Sequence, residues 1–240
     1  MTLIVLLRIP GGIVLPQRSL VTGLEAFLMT LKRFAYPIRL YDIAIMFGRK
    51  KGVVSMAITW MVNDIFDNFS CLLQFDQTRL TTQKLNCFAE SIHAKPSPLS
   101  TVYGFIDETV RPISRPTIAQ RMQFNGQHRT HALKFQSVTT PDGIIVDLCD
   151  PYEGRRHDCY MLHESKLLHH MESWSHDPDG NDLHIYGDPA YGVTRYLIPP
   201  FKGSTLTNEQ KKFNSCMSSV RNTVEYGFQR IVTYCAFLDF

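Results

Sequence analysis

The sequence predicts an α/β chain in two parts: a small all-α region over residues 1–95, then a mixed β-sheet flanked by helices over residues 96–240. Three observations carry this expectation. Apolar residues upstream recur with helical period, since Val54, Ile58, Met61, Ile65 and Phe69 fall on one face of a 3.6-residue helix. Downstream, β-branched and aromatic runs are separated by turn residues. Between the two lies HAKPSPLS, His93 to Ser100, whose two prolines and two serines mark a linker.

In the first part, Leu40–Phe47 reads as a short helix ended by Gly48, and the helix containing Val54 follows. Helix, tight turn, helix is the layout of a helix-turn-helix, and equally of any small bundle. Charge favours the former. Lys32, Arg33, Arg39, Arg49, Lys50 and Lys51 fall within twenty residues that contain one acid, Asp42. Basic side chains at such a junction suit phosphate contacts, which makes Arg49, Lys50 and Lys51 candidate DNA-binding residues.

In the second part, Thr101–Val110, His131–Thr140 and Gly143–Cys149 read as strands, the last two joined by a hairpin at Pro141-Asp142-Gly143. A helix is expected over His157–Met171, a fourth strand ends at Asp188, and a long terminal helix runs from a Thr207-x-x-Gln210 capping box to Ile231. This is the element order of an RNase H-like core.

Composition sets the limits. The net charge is +3, but residues 1–100 carry eleven Lys/Arg against six Asp/Glu, a net of +5, and residues 101–240 carry fourteen against sixteen, a net of −2. The front half thus favours anions and the back half collects carboxylates. Six scattered cysteines with no Cys-x-x-Cys pair argue against structural zinc and for a reduced, intracellular protein. Leu3–Leu7 is too short an apolar run to span a bilayer, so a soluble chain with no membrane partner is expected.

Asp107, Asp188 and Glu225 stand out because each interrupts or ends an apolar element. Burying such acids is costly unless they meet a cation, and two Asp with one Glu are the oxygen donors that Mg²⁺ or Mn²⁺ takes. If they converge they can hold two ions for phosphodiester chemistry. From Thr109 to Thr140 there is no acid, while Arg111, Arg115, Arg121, Arg129 and Lys134 recur with His128 and His131. Of these, Arg111, Arg115, Arg129 and Lys134 are taken as candidates to hold a polyanion.

The runs GFIDETVRPISRP, NGQHRTHALKFQSV, PDGIIVDLCDPYEGRRHD, IYGDPAYG and RNTVEYGFQRI together resemble the DDE-type endonuclease domain of the PIF/Harbinger transposase family. The similarity runs from about Tyr103 to Ile231, and the region around FGRKKGVVS resembles the helix-turn-helix that these proteins carry upstream. The resemblance implies a nuclear, metal-dependent DNA endonuclease or transposase in which Asp107, Asp188 and Glu225 hold Mg²⁺ or Mn²⁺ as a catalytic triad. Asp158 is a further acidic position, accessory to the metals or a helix cap. His157 and Arg221 are accessory, Arg221 matching the basic residue before the glutamate. DNA is the implied partner, with a separate DNA-binding protein and self-association left open. Two departures are Glu108, where the family commonly has glycine, and an end fifteen residues after Glu225, which raises a truncated core. They keep a second reading in view, a catalytically silent, transposase-derived DNA-binding protein; a small-molecule phosphoesterase leaves the basic first part without a use.

Overall fold

The computed structural model describes residues 2–149, 151–224 and 226–239. They form two compact units, Met1–Cys71 with Arg230–Phe240, and Leu72–Gln229. The linker expected at residues 93–100 therefore lies inside the second unit. The reason is packing: the helix before it, α5 (Thr82–His93), lays Leu85, Phe88 and Ala89 into the same core as the sheet.

In the first unit a single turn, α1 (Leu3–Leu6), precedes a hairpin of β1 (Gly12–Val14) and β2 (Leu20–Thr22). Then come α2 (Gly23–Ala35), α3 (Leu40–Phe47) and α4 (Lys51–Phe69). Thr22 caps α2 by accepting the Glu25 amide. Gly48 ends α3 in the left-handed conformation at φ 62°, its amide bonding to Ile45 O while that of Arg49 bonds to Ala44 O. The expected apolar stripe on α4 is buried at Val54 and Met61, which pack with Ala26, Met29 and Ile43.

The second unit is built on β3 (Val102–Pro112). A one-turn α6 (Gln120–Gln123) and β4 (Phe124–Asn125) lead into β5 (Thr130–Thr139), antiparallel to β3. The hairpin to β6 (Ile145–Leu148) turns at Gly143, φ 79°, with Asp142 Oδ1 accepting from the Thr140 hydroxyl at 2.6 Å. β6, β7 (Tyr152–Glu153) and β4 all pair along the outer edge of β5. On the other side of β3, β8 (His184–Tyr186) and then β9 (Leu197–Ile198) run parallel to it. The result is a mixed sheet flanked by helices.

The single helix expected over residues 157–171 is two, α7 (Asp158–Glu164) and α8 (Leu167–Trp174). Lys166 breaks it at φ 55°, and the Ser165 hydroxyl donates to Leu162 O at 2.9 Å, taking a carbonyl the next turn of helix would need. The break brings both Leu167 and Met171 into the core. The capping box at Thr207 and Gln210 forms in both directions, at 3.0 and 3.2 Å, and starts α9 (Asn208–Val224). Glu225 lies outside the described residues, and α10 (Tyr226–Tyr234) follows it.

Candidate active site

Parallel pairing of β3 with β8 sets Phe105 beside Tyr186, and their rings meet edge to face at 6.2 Å. This face is covered by Ile92 of α5 and by Met217 and Val220 of α9. Two residues beyond Phe105, still within β3, comes Asp107, and two beyond Tyr186, in the turn after β8, comes Asp188. Side chains repeat every second residue along a strand, so Asp107 continues the face that α9 covers. Gly187 lets the strands stay close at this point: a Cβ there would lie 2.5 Å from Ile106 Cγ2.

Each carboxylate is held. Arg221, in the turn of α9 after Val220, donates from Nη2 to Asp107 Oδ1 at 2.7 Å. Asp188 caps the 3₁₀ turn Pro189–Tyr191, accepting the Ala190 amide on Oδ1 at 2.8 Å. Tyr191, 3% exposed, anchors that turn in the core. Burial pushes its phenol well above the usual range, and the charges of Asp158, Glu108, Asp107 and Asp188 push it the same way. Four carboxylates thus act on one buried hydroxyl that has no hydrogen-bond partner among the described residues. Tyr186, whose phenol burial drives up to about 12, feels Arg221 and Asp188 in opposite senses.

Glu108 points to the opposite face of β3 from Asp107. There the Lys134 ammonium contacts both Glu108 and Asp158, the latter at 2.6 Å, and also donates to Arg156 O at 3.1 Å. Burial, then the neighbouring Asp158, raise the Glu108 carboxyl to about 7, while Lys134 opposes the rise. Two sequence expectations change here. Lys134, expected to face a polyanion, is 5% exposed and bridges β5 to α7, because its register on β5 turns it to the face that carries Glu108, where Glu108 and Asp158 compensate its buried charge. Asp158, the accessory acid, is occupied by that lysine; it is the first residue of α7.

The remaining candidates are dispersed. Arg49 is engaged by Glu25 of α2 through two hydrogen bonds of 2.7 Å, while Lys50 and Lys51 are exposed at the start of α4. Arg111 lies on β3 opposite Leu133, Arg115 donates to Gln120 Oε1 at 3.0 Å, and Arg129 is exposed in the turn before β5. His157 is exposed at the start of α7. Glu225, the expected third ligand, is outside the described residues, and among those described no three His, Cys, Asp or Glu side chains are grouped to hold a metal. The two visible carboxylates suit a hard cation: they are oxygen donors on rigid neighbouring elements, and a guanidinium already stands against Asp107. The six cysteines are free, and no described helix is long and apolar enough to cross a membrane.

The sequence reading missed Tyr191 and the arginines Arg155 and Arg156. The acid-free run had pointed to their neighbours; in GRRHD the adjacent acids Glu153 and Asp158 mask the signal.

A match to the DDE superfamily endonuclease family extends over residues 106–238, more than half of the chain. The chain belongs to the DDE superfamily endonucleases. Neither a curated protein nor a solved structure matches it. The DDE endonuclease match begins one residue before Asp107 and includes Asp188 and Glu225. A cavity of about 790 Å³ lies elsewhere in the second unit, between β6, α8 and the Phe75–Trp174 stack. Asp147 faces it with its carboxyl raised by burial to about 6, a rise the charge of His170 resists.

Proposed function

We propose that this chain is a divalent-metal-dependent DNA endonuclease or transposase of the PIF/Harbinger type, in which Asp107, Asp188 and Glu225 hold Mg²⁺ or Mn²⁺ in an RNase H-like core. The observation that carries the reading is that Asp107 on β3 and Asp188, two residues past the end of β8, follow the paired residues Phe105 and Tyr186 of these adjacent parallel strands, within a matched endonuclease family. The strand arrangement supports it: β3 central, β5 and β6 antiparallel on one side, β8 and β9 parallel on the other.

When bound, the cations supply Lewis-acid activation of the attacking oxygen and stabilisation of the leaving one. The protein's own work is placement. Asp107 presents its carboxylate from within β3 and Asp188 from the turn after β8 that Tyr191 anchors in the core, and Arg221 holds Asp107 in one rotamer. Glu225 follows Arg221 by four residues in the sequence. Lys50 and Lys51 in the first unit, with Arg111, Arg115 and Arg129 in the second, are the candidates for phosphate contacts. A nuclear location and action on DNA, alone or with a DNA-binding protein, belong to the same proposal.

The test is plasmid nicking or strand transfer by the full chain with Mn²⁺ or Mg²⁺. Asp188→Asn, which keeps an acceptor for the Ala190 amide, is expected to lose at least about a thousandfold in rate at unchanged stability. Full activity in that variant would sink the mechanism.

A further inference from the structure

Two adjoining cavities open on the α6–β4 side of the second unit. One, about 550 Å³, is lined by Arg121, Phe124, His131 and Arg155 among others, and the next, about 370 Å³, by Arg155, Arg156, His157 and Tyr160. Arg155 is the wall they share. No carboxylate lines either. Arg121 and Arg155 have no side-chain partner among the described residues, whereas Arg156 binds Glu153 at 2.8 Å through Nε and lays its guanidinium over the Tyr160 ring at 4.3 Å.

The groove is built rather than incidental. A Cβ on Gly154 would lie 2.6 Å from Gln123 O and 2.7 Å from Ala132 O, so only glycine lets the chain press against α6 and β5 here. The Arg155 amide then donates to Met122 O at 3.1 Å, fixing where the two arginines leave the backbone. Two aromatic rings remain open to solvent in this cationic cleft, Phe124 at 42% and Tyr160 at 38%. Phe124 is steadied edge to face by His131 at 5.5 Å.

Two arginines without side-chain partners among the described residues, beside the exposed Phe124 and a Tyr160 that Arg156 covers on one face only, are the elements of single-strand recognition: the cations follow phosphates and the rings stack bases. The bases of a duplex are sealed in their own stack, and cavities of this size admit a nucleotide only once it has left the helix. We infer that the Arg121–Arg155–Arg156 groove, with Phe124 and Tyr160 as stacking faces, takes unpaired nucleotides of a DNA strand. The inference rests on the proposed action on DNA and names the form of DNA held next to the site. α7 links the two: His157 and Tyr160 line the groove, while Cys159 donates to Ala190 O at 2.6 Å, in the turn that Asp188 caps.

The experiment uses the full chain in chelator, so that binding is read without cleavage. Its probes are a single-stranded oligonucleotide, a duplex with an unpaired overhang, and a blunt duplex, with 2-aminopurine in the unpaired segment of the first two and at the terminus of the third. Single strand and overhang are expected to bind about tenfold more tightly than blunt duplex, with the fluorophore quenched on stacking. Phe124→Ala and Tyr160→Ala each weaken this binding about fivefold or more and relieve the quench, and Arg155→Gln lowers the salt slope by about one. Equal affinity for blunt duplex, variants that bind like the parent, or competition by pyrophosphate as strong as by the strand would each overturn the groove. Normal Mn²⁺-dependent nicking with Arg155→Gln binding unchanged defeats the groove alone. Single-strand binding without nicking on any substrate defeats the nuclease reading alone.

Discussion

Arg221 Nη2 stands 2.7 Å from Asp107 Oδ1, joining α9 to β3 across 114 residues of sequence. The contact is half-buried, so its charge is only partly screened. Arg221→Ala is expected to cost about 1–2 kcal/mol of stability in chelator, measured by urea unfolding. The same variant removes the guanidinium that holds Asp107 in one rotamer, so Mn²⁺ should raise its Tm by less than it raises that of the parent. An equal or larger rise would mean that Arg221 competes with the cation instead of positioning Asp107.

Gly187 passes close to Ile106, where an added methyl would meet Cγ2 at 2.5 Å. Gly187→Ala should destabilise by about 1–3 kcal/mol through overpacking. Shortening the neighbour relieves it, so the loss in Gly187→Ala/Ile106→Ala should fall short of the sum of the two single losses. Strict additivity in a double-mutant cycle would count against the close approach.

Lys134 neutralises Glu108 and Asp158 on the far face of β3. Lys134→Met leaves the buried Asp158 beside the partly exposed Glu108 with no cation between them and should cost about 3 kcal/mol at pH 7.5. Adding Asp158→Asn removes one of those charges and should restore part of the loss in guanidinium unfolding. If Lys134 served DNA instead, Lys134→Met would weaken binding and leave the unfolding midpoint where it was.

Asp147 gives a pH dependence with a definite sign. Its folded carboxyl lies near 6, above the ordinary value of 3.8, because burial disfavours the charge more than His170 restores it. The native state therefore holds the proton where the unfolded chain has released it, and stability falls as pH rises from about 4 to about 6. Asp147→Asn should flatten that window and stabilise the protein at pH 7 by about 1–2 kcal/mol. Unfolding curves of equal pH slope for parent and variant would refute this.

The basic residues after Gly48 should separate by role. Arg49 is tied to Glu25, whereas Lys50 and Lys51 face solvent. Lys50→Ala and Lys51→Ala are expected to reduce the salt dependence of DNA affinity by about one ion each with unchanged Tm. Arg49→Ala is expected to act first on the thermal stability of the helical unit. Equal effects of all three on DNA binding alone would reverse that division.

The strands containing Asp107 and preceding Asp188 were legible because alternation and turn residues are local signals, and so were the Gly48 stop and the Thr207 cap. The break at Lys166 was not, since its left-handed backbone and the Ser165 hydroxyl's choice of acceptor depend on Leu167 and Met171 reaching a core assembled from distant segments. The small pairings β4, β7 and β9 were also missed; two-residue strands carry no period.

By itself the sequence determined the inventory: two aspartates that interrupt or end strand-like runs, a basic run without acids, a capped terminal helix, and motifs in the order of a DDE endonuclease. Only the tertiary structure decided which groups act together. Asp107 and Glu108 are adjacent in sequence, yet strand alternation sends one toward Arg221 and the other toward Lys134. Lys134 left the list of surface cations by the same rule, and Arg155 entered it because Gly154 presses its backbone against α6. Charge and type are properties of a residue, whereas the partner that fixes its role comes from segments that meet only when the chain folds.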